Sequence, residues 1–185
     1  LQNIKFIFSK IGLEVLSASI TRPKGGSIRI VIQHNGANRK KSKSINKIIL
    51  SEKKQGIKKL KIYKSFFDTI EKHKKNVLQK LINFKKLGKK IVALGASHST
   101  TVLTYHFGLK NFIDYIVDDN KRKHNLFSPG YHIPVFSTEK IYKDSVDIII
   151  VLAWQHQKKI IEKHKKFIKS KGFFLIPLPK IKIVK

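Results

Sequence analysis

The sequence predicts an α/β protein whose parallel sheet is covered by helices on both faces. From Lys89 onward, short runs of continuous apolar residues alternate with segments that repeat at three- and four-residue spacing. Continuous apolar strands separated by helices are typical of a parallel sheet buried on both sides. The chain has 185 residues and is 41% hydrophobic, which is enough for one domain with a good core or for one domain plus a piece of another.

The first 33 residues read as a helix followed by two strands. The helix ends near Ile11 and Gly12, Leu13–Ile20 alternates like a strand, and Ile28–Ile32 forms a second strand. A turn over residues 23–27 joins the two strands. Because a helix and two strands cannot bury both faces of a sheet, this segment is expected to need partners from outside the chain.

Residues 34–59 form a polar, lysine-rich connector with a weak helical pattern from Ile45 to Lys54. A long helix follows from about Leu60 to Leu87, because apolar residues recur there at helical spacing. The remaining strands are predicted at Ile91–Leu94, Phe112–Val117, Ile133–Phe136, Asp147–Leu152 and Phe173–Ile176. The remaining helices are predicted at Ser99–Phe107, Ser137–Asp144 and Gln155–Lys171, with a long loop over residues 118–134.

A turn of small residues at Gly95 follows the strand Ile91–Leu94, and an acidic pair, Asp118-Asp119, begins 23 residues later. This is the outline of a Rossmann-type unit, in which the phosphate or ribose of a ligand meets backbone N–H groups at a helix N-terminus. Only one glycine stands where the complete fingerprint has three. The candidate donors to a phosphate are therefore hydroxyl groups, those of Ser97, Ser99, Thr100 and Thr101. The alternative is a turn whose small residues serve only the close packing of strand against helix.

Further candidates follow strands at the edge where open α/β sheets bind ligands. Asp118 and Asp119 stand where an acid commonly bonds a ribose hydroxyl, or else they are surface acids that cap a loop. His98 and His132 are candidates for acid–base chemistry, with solvent-exposed histidine as the alternative. Trp154 either stacks on a base or sugar or covers the core. No carboxylate or cysteine spacing supports a metal site.

The formal charge of +29 permits a lysine-driven polyanion binder. Of the 40 basic residues only four are arginine, whereas proteins that read nucleic acid bases depend on arginine forks and stacking aromatics. Lysine is spread along nearly every helix, so solvated lysine from a compositional bias is the competing interpretation. No specific nucleic acid partner is expected.

Cysteine is absent, which excludes disulfides, thiolate zinc sites and cysteine nucleophiles and fits a cytoplasmic location. No apolar run approaches the ~20 residues of a membrane span, and no secretory signal is visible, so no membrane partner is expected. Methionine is absent as well. Residue 1 is therefore not an ordinary initiator, and the chain is expected to be a fragment of a longer protein.

Five motifs occur in order along the chain: Gly95-Ala96-Ser97-His98-Ser99-Thr100-Thr101, Val117-Asp118-Asp119-Asn120, Ser128-Pro129-Gly130-Tyr131-His132-Ile133-Pro134-Val135, Leu152-Ala153-Trp154-Gln155 and Ile176-Pro177-Leu178-Pro179. Together they resemble the C-terminal domain of S-adenosylmethionine-dependent C-methyltransferases, a group that includes methyltransferases of nucleotide-linked deoxysugars. The resemblance covers residues 60–184. Two upstream motifs, Gly12-Leu13-Glu14-Val15 and Gly25-Gly26-Ser27-Ile28-Arg29, are similar to the last strands of that family's methyltransferase core.

The resemblance implies a fold and a division of the chain. The fold is a Rossmann-like parallel sheet with helices on both faces, preceded by a long helix and by an incomplete piece of an upstream α/β methyltransferase core. Residues 1–33 are then the last helix and strands of that core, residues 34–59 a connector, and residues 60–185 the Rossmann-like C-terminal C-methyltransferase domain.

The resemblance also implies that this chain is the substrate-binding part of a C-methyltransferase that acts on a nucleotide-linked sugar or a similar small molecule. In the family, the glycine motif that binds the methyl donor S-adenosylmethionine, the zinc cysteines and the catalytic cluster lie upstream of this region. No cofactor is therefore expected on this chain, its catalytic residues are unknown, and the chain alone is expected to be inactive. The expected partners are a nucleotide-sugar-like molecule and the missing core, in the same gene or on a partner chain.

Carried over motif by motif, the candidate substrate-binding residues are Gly95, Ser97, His98, Ser99, Asp118, Asp119, His132 and Trp154. Many members of the family carry lysine and glycine where this chain has Ser99 and Thr100, which leaves the identity of the substrate open. The alternative function is a non-catalytic nucleotide-binding or assembly module.

Overall fold

The computed structural model describes residues 1–23 and 26–185. Within them the chain divides into two units, Leu1–Thr69 and Ile70–Lys185, and each is considered by itself. Lys24 and Gly25 of the predicted turn lie outside the described residues.

The first unit contains helix α1 (Gln2–Ser9), strands β1 (Leu13–Thr21) and β2 (Ser27–His34), and helix α2 (Ser44–Gln55). The strands pair antiparallel, with Leu13 opposite His34 and Thr21 opposite Ser27. The weak helical pattern in the connector thus corresponds to a three-turn helix. Its end is fixed by Gly56, which takes the left-handed conformation that closes a helix.

The core of the first unit is small. Val15 and Ala18 of β1 are buried together with Leu1 and Ile45, so α1 and α2 cover one face of the hairpin. Ile28, Val31 and other apolar side chains of the hairpin stay exposed, as expected for two strands that lack further layers.

The second unit begins within helix α3 (Leu60–Lys86). Among the described residues, seven strands form its sheet: β3 (Ile91–Leu94), β4 (Ile116–Asp118), β5 (Leu126–Phe127), β6 (Pro134–Ser137), β7 (Ile148–Val151), β8 (Phe173–Ile176) and β9 (Lys182–Val184). Their order is β5-β6-β4-β3-β7-β8-β9. The inner five are parallel, and the edge strands β5 and β9 run antiparallel to their neighbours.

Helices cover both faces of this sheet, which confirms the predicted fold class. On one face, α3 and helix α4 (His98–Phe107) pack on Ile91 and Ala93 through buried side chains such as Leu81. On the other face, Val92 and Leu94 are covered by the remaining helices α5 (Lys140–Lys143), α6 (Gln157–Lys163) and α7 (Lys165–Lys169). No helix among the described residues is both long and apolar enough to cross a lipid bilayer.

Two predicted elements differ from the structure, and two strands of the structure were not predicted. The single helix over Gln155–Lys171 is wrong, because His164 leaves helical geometry and separates α6 from α7 while its Nδ1 lies 3.2 Å from the Tyr142 hydroxyl. The predicted strand Phe112–Val117 starts only at Ile116, after a 3-10 turn. Strand β9 was missed because lysine and apolar residues alternate over only three residues. Similarly, β5 lies within the predicted long loop.

Candidate functional site

The turn after β3 is held by its neighbours on both sides. The Gly95 amide donates to the Val117 carbonyl at 2.8 Å, which ties the turn to β4. Gly95 has a φ of +104°, and a Cβ there would lie only 2.8 Å from the Cβ of Ala153. Gly95 is therefore required by the close approach of the segment that follows β7, and it lies buried beneath the site.

Both carboxylate oxygens of Asp118, at the end of β4, accept hydrogen bonds from the protein. Its Oδ2 accepts from the Ala96 amide at 2.7 Å and its Oδ1 from the Asn120 amide at 2.9 Å. The Lys123 ammonium lies 3.1 Å from Oδ2. Asp118 is only 9% exposed, so it acts as a tie between the β3 turn and β4.

Helix α4 begins with a capping box formed by Ser97, at the N-cap position, and Thr100. The Ser97 amide donates to Thr100 Oγ1 at 2.7 Å. The hydroxyls of Thr100 and Thr101 both donate to the Ser97 carbonyl, at 2.6 and 3.3 Å. The sequence predicts these two hydroxyls as donors to a phosphate, but in the structure both are engaged within α4. The Ser99 side chain lies outside the described part of the chain.

A cavity of about 320 Å³ lies between α4 and the segment 126–131, over Ile116 of β4 and Val135 of β6. It extends to the turn after β3, where Ala96, Ser97 and His98 line it. Lys123 is the one lysine, arginine or carboxylate among the described residues that line the cavity. The walls are therefore mostly apolar, with polar groups gathered at the start of α4.

Two tyrosines form one wall of this cavity. The rings of Tyr105 on α4 and Tyr131 lie parallel, with centroids 4.0 Å apart and planes 5° apart. Gly130 has a φ of +77°, and a Cβ there would collide with the Tyr105 ring and hydroxyl. The Pro-Gly-Tyr sequence thus places Tyr131 against α4. Lys110 stands over the Tyr131 ring, 5.6 Å from its centroid.

Of the residues predicted from sequence, Ser97 and His98 line the cavity and Asp118 lies directly behind its turn. Asp119 belongs to the other face of the sheet, where Lys163 Nζ lies 2.7 Å from its Oδ2 and Thr138 donates to its Oδ1 at 3.2 Å. Burial acts to raise the pKa of the Asp119 carboxyl, but Lys163 and Thr138 outweigh it, so this pKa lies below its usual value.

His132 and Trp154 do not line the cavity. His132 is exposed, with a left-handed φ of +51°, although its loop contributes Tyr131. Trp154 is half-buried and packs against the cores on both faces of the sheet. The structure therefore gathers the α4 residues with Asp118 and separates them from the other candidates.

Sequence reasoning missed Lys123, Tyr105 and Tyr131. Tyr105 had a detectable signal, because it stands four residues after Thr101 and so on the same side of α4. Tyr131 had one in the Pro-Gly turn before it. Lys123 had none in a chain so rich in lysine.

Residues 22–179 match the family described as the C-methyltransferase C-terminal domain. A relative, C-methyltransferase NovU from Streptomyces niveus, is 25% identical over 179 residues, which are 96% of this chain and 43% of that protein. The chain thus spans less than half the length of this relative. A crystal structure of UDP-D-quinovosamine 4-dehydrogenase from Vibrio fischeri is 19% identical, with a TM-score of 0.37 over 52% of this chain and 93% of that one. Because the family match covers most of the chain, the protein belongs to the C-methyltransferase C-terminal domain family.

Proposed function

We propose that the second unit binds the substrate of a C-methyltransferase, a nucleotide-linked sugar or a similar small molecule, in the cavity beside α4. The observation that carries this proposal is the position of the cavity. It reaches the carboxyl end of β3, at the start of α4, and ligands of open α/β sheets bind outside the carboxyl ends of the strands.

The size and lining of the cavity support a small-molecule ligand. A volume of about 320 Å³ lies within the range of such sites, which are mostly apolar with a few placed polar groups. The stacked Tyr105 and Tyr131 rings supply a flat wall against which a ring packs. His98 and Lys123 supply polar groups at the turn.

In the intact enzyme, S-adenosylmethionine held by the upstream core would supply the methyl group for a substrate carbon that becomes nucleophilic when it loses a proton next to a carbonyl group. The part of this chain is to hold and orient the substrate.

We place the methyl donor on an upstream methyltransferase core, in the same gene or on a partner chain. The β3 turn supports this placement, because Gly95 packs against Ala153 and the Ala96 amide is already bonded to Asp118. The first unit supports it too, since apolar side chains such as Phe6, Ile20 and Val31 stay exposed, as in a segment that another layer covers.

Isothermal titration calorimetry with the whole chain tests the proposal. Nucleoside diphosphate sugars are expected to bind, and S-adenosylmethionine is expected to give no heat of binding. Binding of S-adenosylmethionine without any nucleotide sugar, or methyl transfer by this chain alone, would overturn the assignment.

A pair of variants locates the site within the fold. His98→Ala removes a side chain from the cavity, whereas His156→Ala removes an exposed histidine that does not line it. The first variant is expected to weaken binding of the nucleotide sugar several-fold, and the second to leave it as in the unmodified chain. Equal effects would place the ligand elsewhere.

A further inference from the structure

Three backbone donors at the β3 turn are already used by the protein. The Ala96 amide donates to Asp118 Oδ2 and the Ser97 amide to Thr100 Oγ1, both at 2.7 Å. The Thr100 amide donates to the Ser97 carbonyl at 3.0 Å. In a dinucleotide-binding turn, N–H groups at these places hold a phosphate. A phosphate at these three amides would have to displace bonds within the protein.

The charge at this turn also disfavours a phosphate. The Asp118 carboxylate occupies the position next to the Ala96 amide, so a phosphate there would meet a like charge. Lys123 lies 3.1 Å from that carboxylate and also donates to the Ala96 carbonyl. Its positive charge is therefore balanced within the fold, and no unbalanced cation remains among the described residues that line the cavity.

Three other polar side chains of the walls are likewise engaged. Thr101 and Thr104 donate their hydroxyl protons to carbonyls of α4. Ser128, which is 9% exposed, accepts from the Ile133 amide at 3.0 Å. What faces the interior is therefore mostly hydrocarbon and ring surface, to which Phe127 contributes.

We propose that this cavity binds an uncharged ring of the ligand, whose apolar face packs against the cavity walls. The phosphates of the ligand stay outside the cavity. This inference rests on the proposed function, because it concerns the same site. A cavity of about 320 Å³ is near the lower end of small-molecule sites, which suits one ring with its substituents. A nucleotide sugar contains two rings that could occupy the cavity, the nucleobase and the sugar.

Competition calorimetry with the whole chain separates the parts of the ligand. A nucleoside diphosphate sugar that binds serves as the reference, and uridine, thymidine, a methyl glycoside and inorganic pyrophosphate are the competitors. One of the uncharged compounds is expected to displace the reference, and pyrophosphate at the same concentration is not. Displacement by a nucleoside identifies the nucleobase as the ring, and displacement by the glycoside identifies the sugar.

Displacement by pyrophosphate with none by the uncharged compounds would overturn the inference and leave the proposed function intact. If no nucleotide sugar binds at all, the proposed function itself fails. The two failures are therefore distinguishable within one experiment.

A pair of wall variants gives a second test. Phe127→Ser removes an apolar wall without adding charge, and Val102→Ser makes the same kind of change at an α4 position outside the lining; the two side chains are 64% and 69% exposed. Phe127→Ser is expected to weaken binding about tenfold, because apolar contact with the ring is lost. Val102→Ser is expected to have no such effect, and circular dichroism checks the fold of both. Unweakened binding in Phe127→Ser would contradict the inference.

Discussion

The two units of the chain differ in how completely they bury their apolar side chains. Among the described residues of the first unit, four apolar side chains are buried: Leu1, Val15, Ala18 and Ile45. In the second unit whole strands are buried, including Ile91–Leu94 and Ile148–Val151. The second unit contains its own core between two helical layers, whereas the first lacks a layer. The second unit therefore buries both faces of its sheet, whereas the first buries one face of its hairpin and leaves apolar side chains such as Ile28 and Val31 exposed.

Helix α3 shows the contrast within a single element. Its apolar residues keep helical spacing from end to end, yet Val77 and Leu81 are fully buried while Phe66 and Phe67 are 64% and 57% exposed. The same amphipathic pattern therefore contributes to a core in one unit and to an exposed surface in the other.

The largest expected effect comes from two leucines of this helix. Leu81→Ala leaves a hole in the core of the second unit and is expected to lower the free energy of unfolding by about 2–5 kcal/mol. Leu60→Ala, where the side chain is 68% exposed, is expected to change it by about 0.5 kcal/mol or less. Urea denaturation measures both. An equally large loss for Leu60→Ala would show that the first unit has a core of its own at that position.

A pair of glycines tests the packing of the two units at matched backbone geometry. Gly130 and Gly36 have φ values of +77° and +81°, but a Cβ meets Tyr105 at Gly130 and nothing within 4 Å at Gly36. Gly130→Ala is expected to lower the free energy of unfolding by about 2–3 kcal/mol, from strain plus collision. Gly36→Ala is expected to lower it by about 1 kcal/mol, from strain alone. Thermal denaturation of the two variants gives the comparison. Equal losses of unfolding free energy would mean that the Tyr105 ring moves aside to make room for the new Cβ.

A smaller effect concerns the pH dependence of stability. Burial lowers the pKa of His164 in the second unit, with Asp119 acting in the opposite direction. Below about pH 6.5 the unfolded chain binds a proton at this histidine that the folded chain excludes. Its contribution to stability is therefore complete above that pH and is lost as the pH falls through the lowered pKa.

The variant His164→Gln is expected to make urea midpoints less dependent on pH between 7 and 5. His34→Gln, at an exposed position of the first unit, is the matched control and is expected to leave the profile as in the unmodified chain. If the pH dependence of the urea midpoint is the same in His164→Gln as in the unmodified chain, the His164 side chain is in contact with water in the folded state.

The smallest expected difference between the units is in how much their exposed lysines contribute to binding of duplex DNA. Duplex DNA is expected to bind at low salt and to be released by about 0.2 M salt, because scattered lysines act by releasing counterions. Replacing four exposed lysines of either unit by glutamine is expected to weaken this binding equally. The two sets are Lys58, Lys59, Lys61 and Lys64, and Lys158, Lys159, Lys166 and Lys169. Fluorescence anisotropy measures the binding, and a loss confined to one set would reveal a selected patch.

The sequence predicts the fold best where one physical term dominates. Ile91–Leu94 was predicted at its observed bounds because every residue of the strand is buried, so burial alone decides its composition. The break at His164 was missed because the helical spacing of apolar residues continues across it. At the break His164 contacts Tyr142, a tertiary contact that the local pattern does not encode.

The lining of the candidate cavity was anticipated in part for a similar reason. Ser97 and His98 follow a strand within a recognisable local motif, so sequence neighbours carry the signal. The Tyr105–Tyr131 stack joins residues that are far apart in sequence, and no local pattern encodes such a pairing. The engagement of the threonine hydroxyls within α4 is likewise a matter of side-chain rotamers, which the sequence leaves open.

The capping box at the start of α4 and the tie from Asp118 to Ala96 have a kinetic consequence. If the cavity binds the substrate as proposed, one of its walls is already held by hydrogen bonds within the protein, so no binding energy goes into ordering that wall. Association then has no folding step at this wall to wait for, and differences in affinity among ligands are expected to appear mainly in how fast they leave.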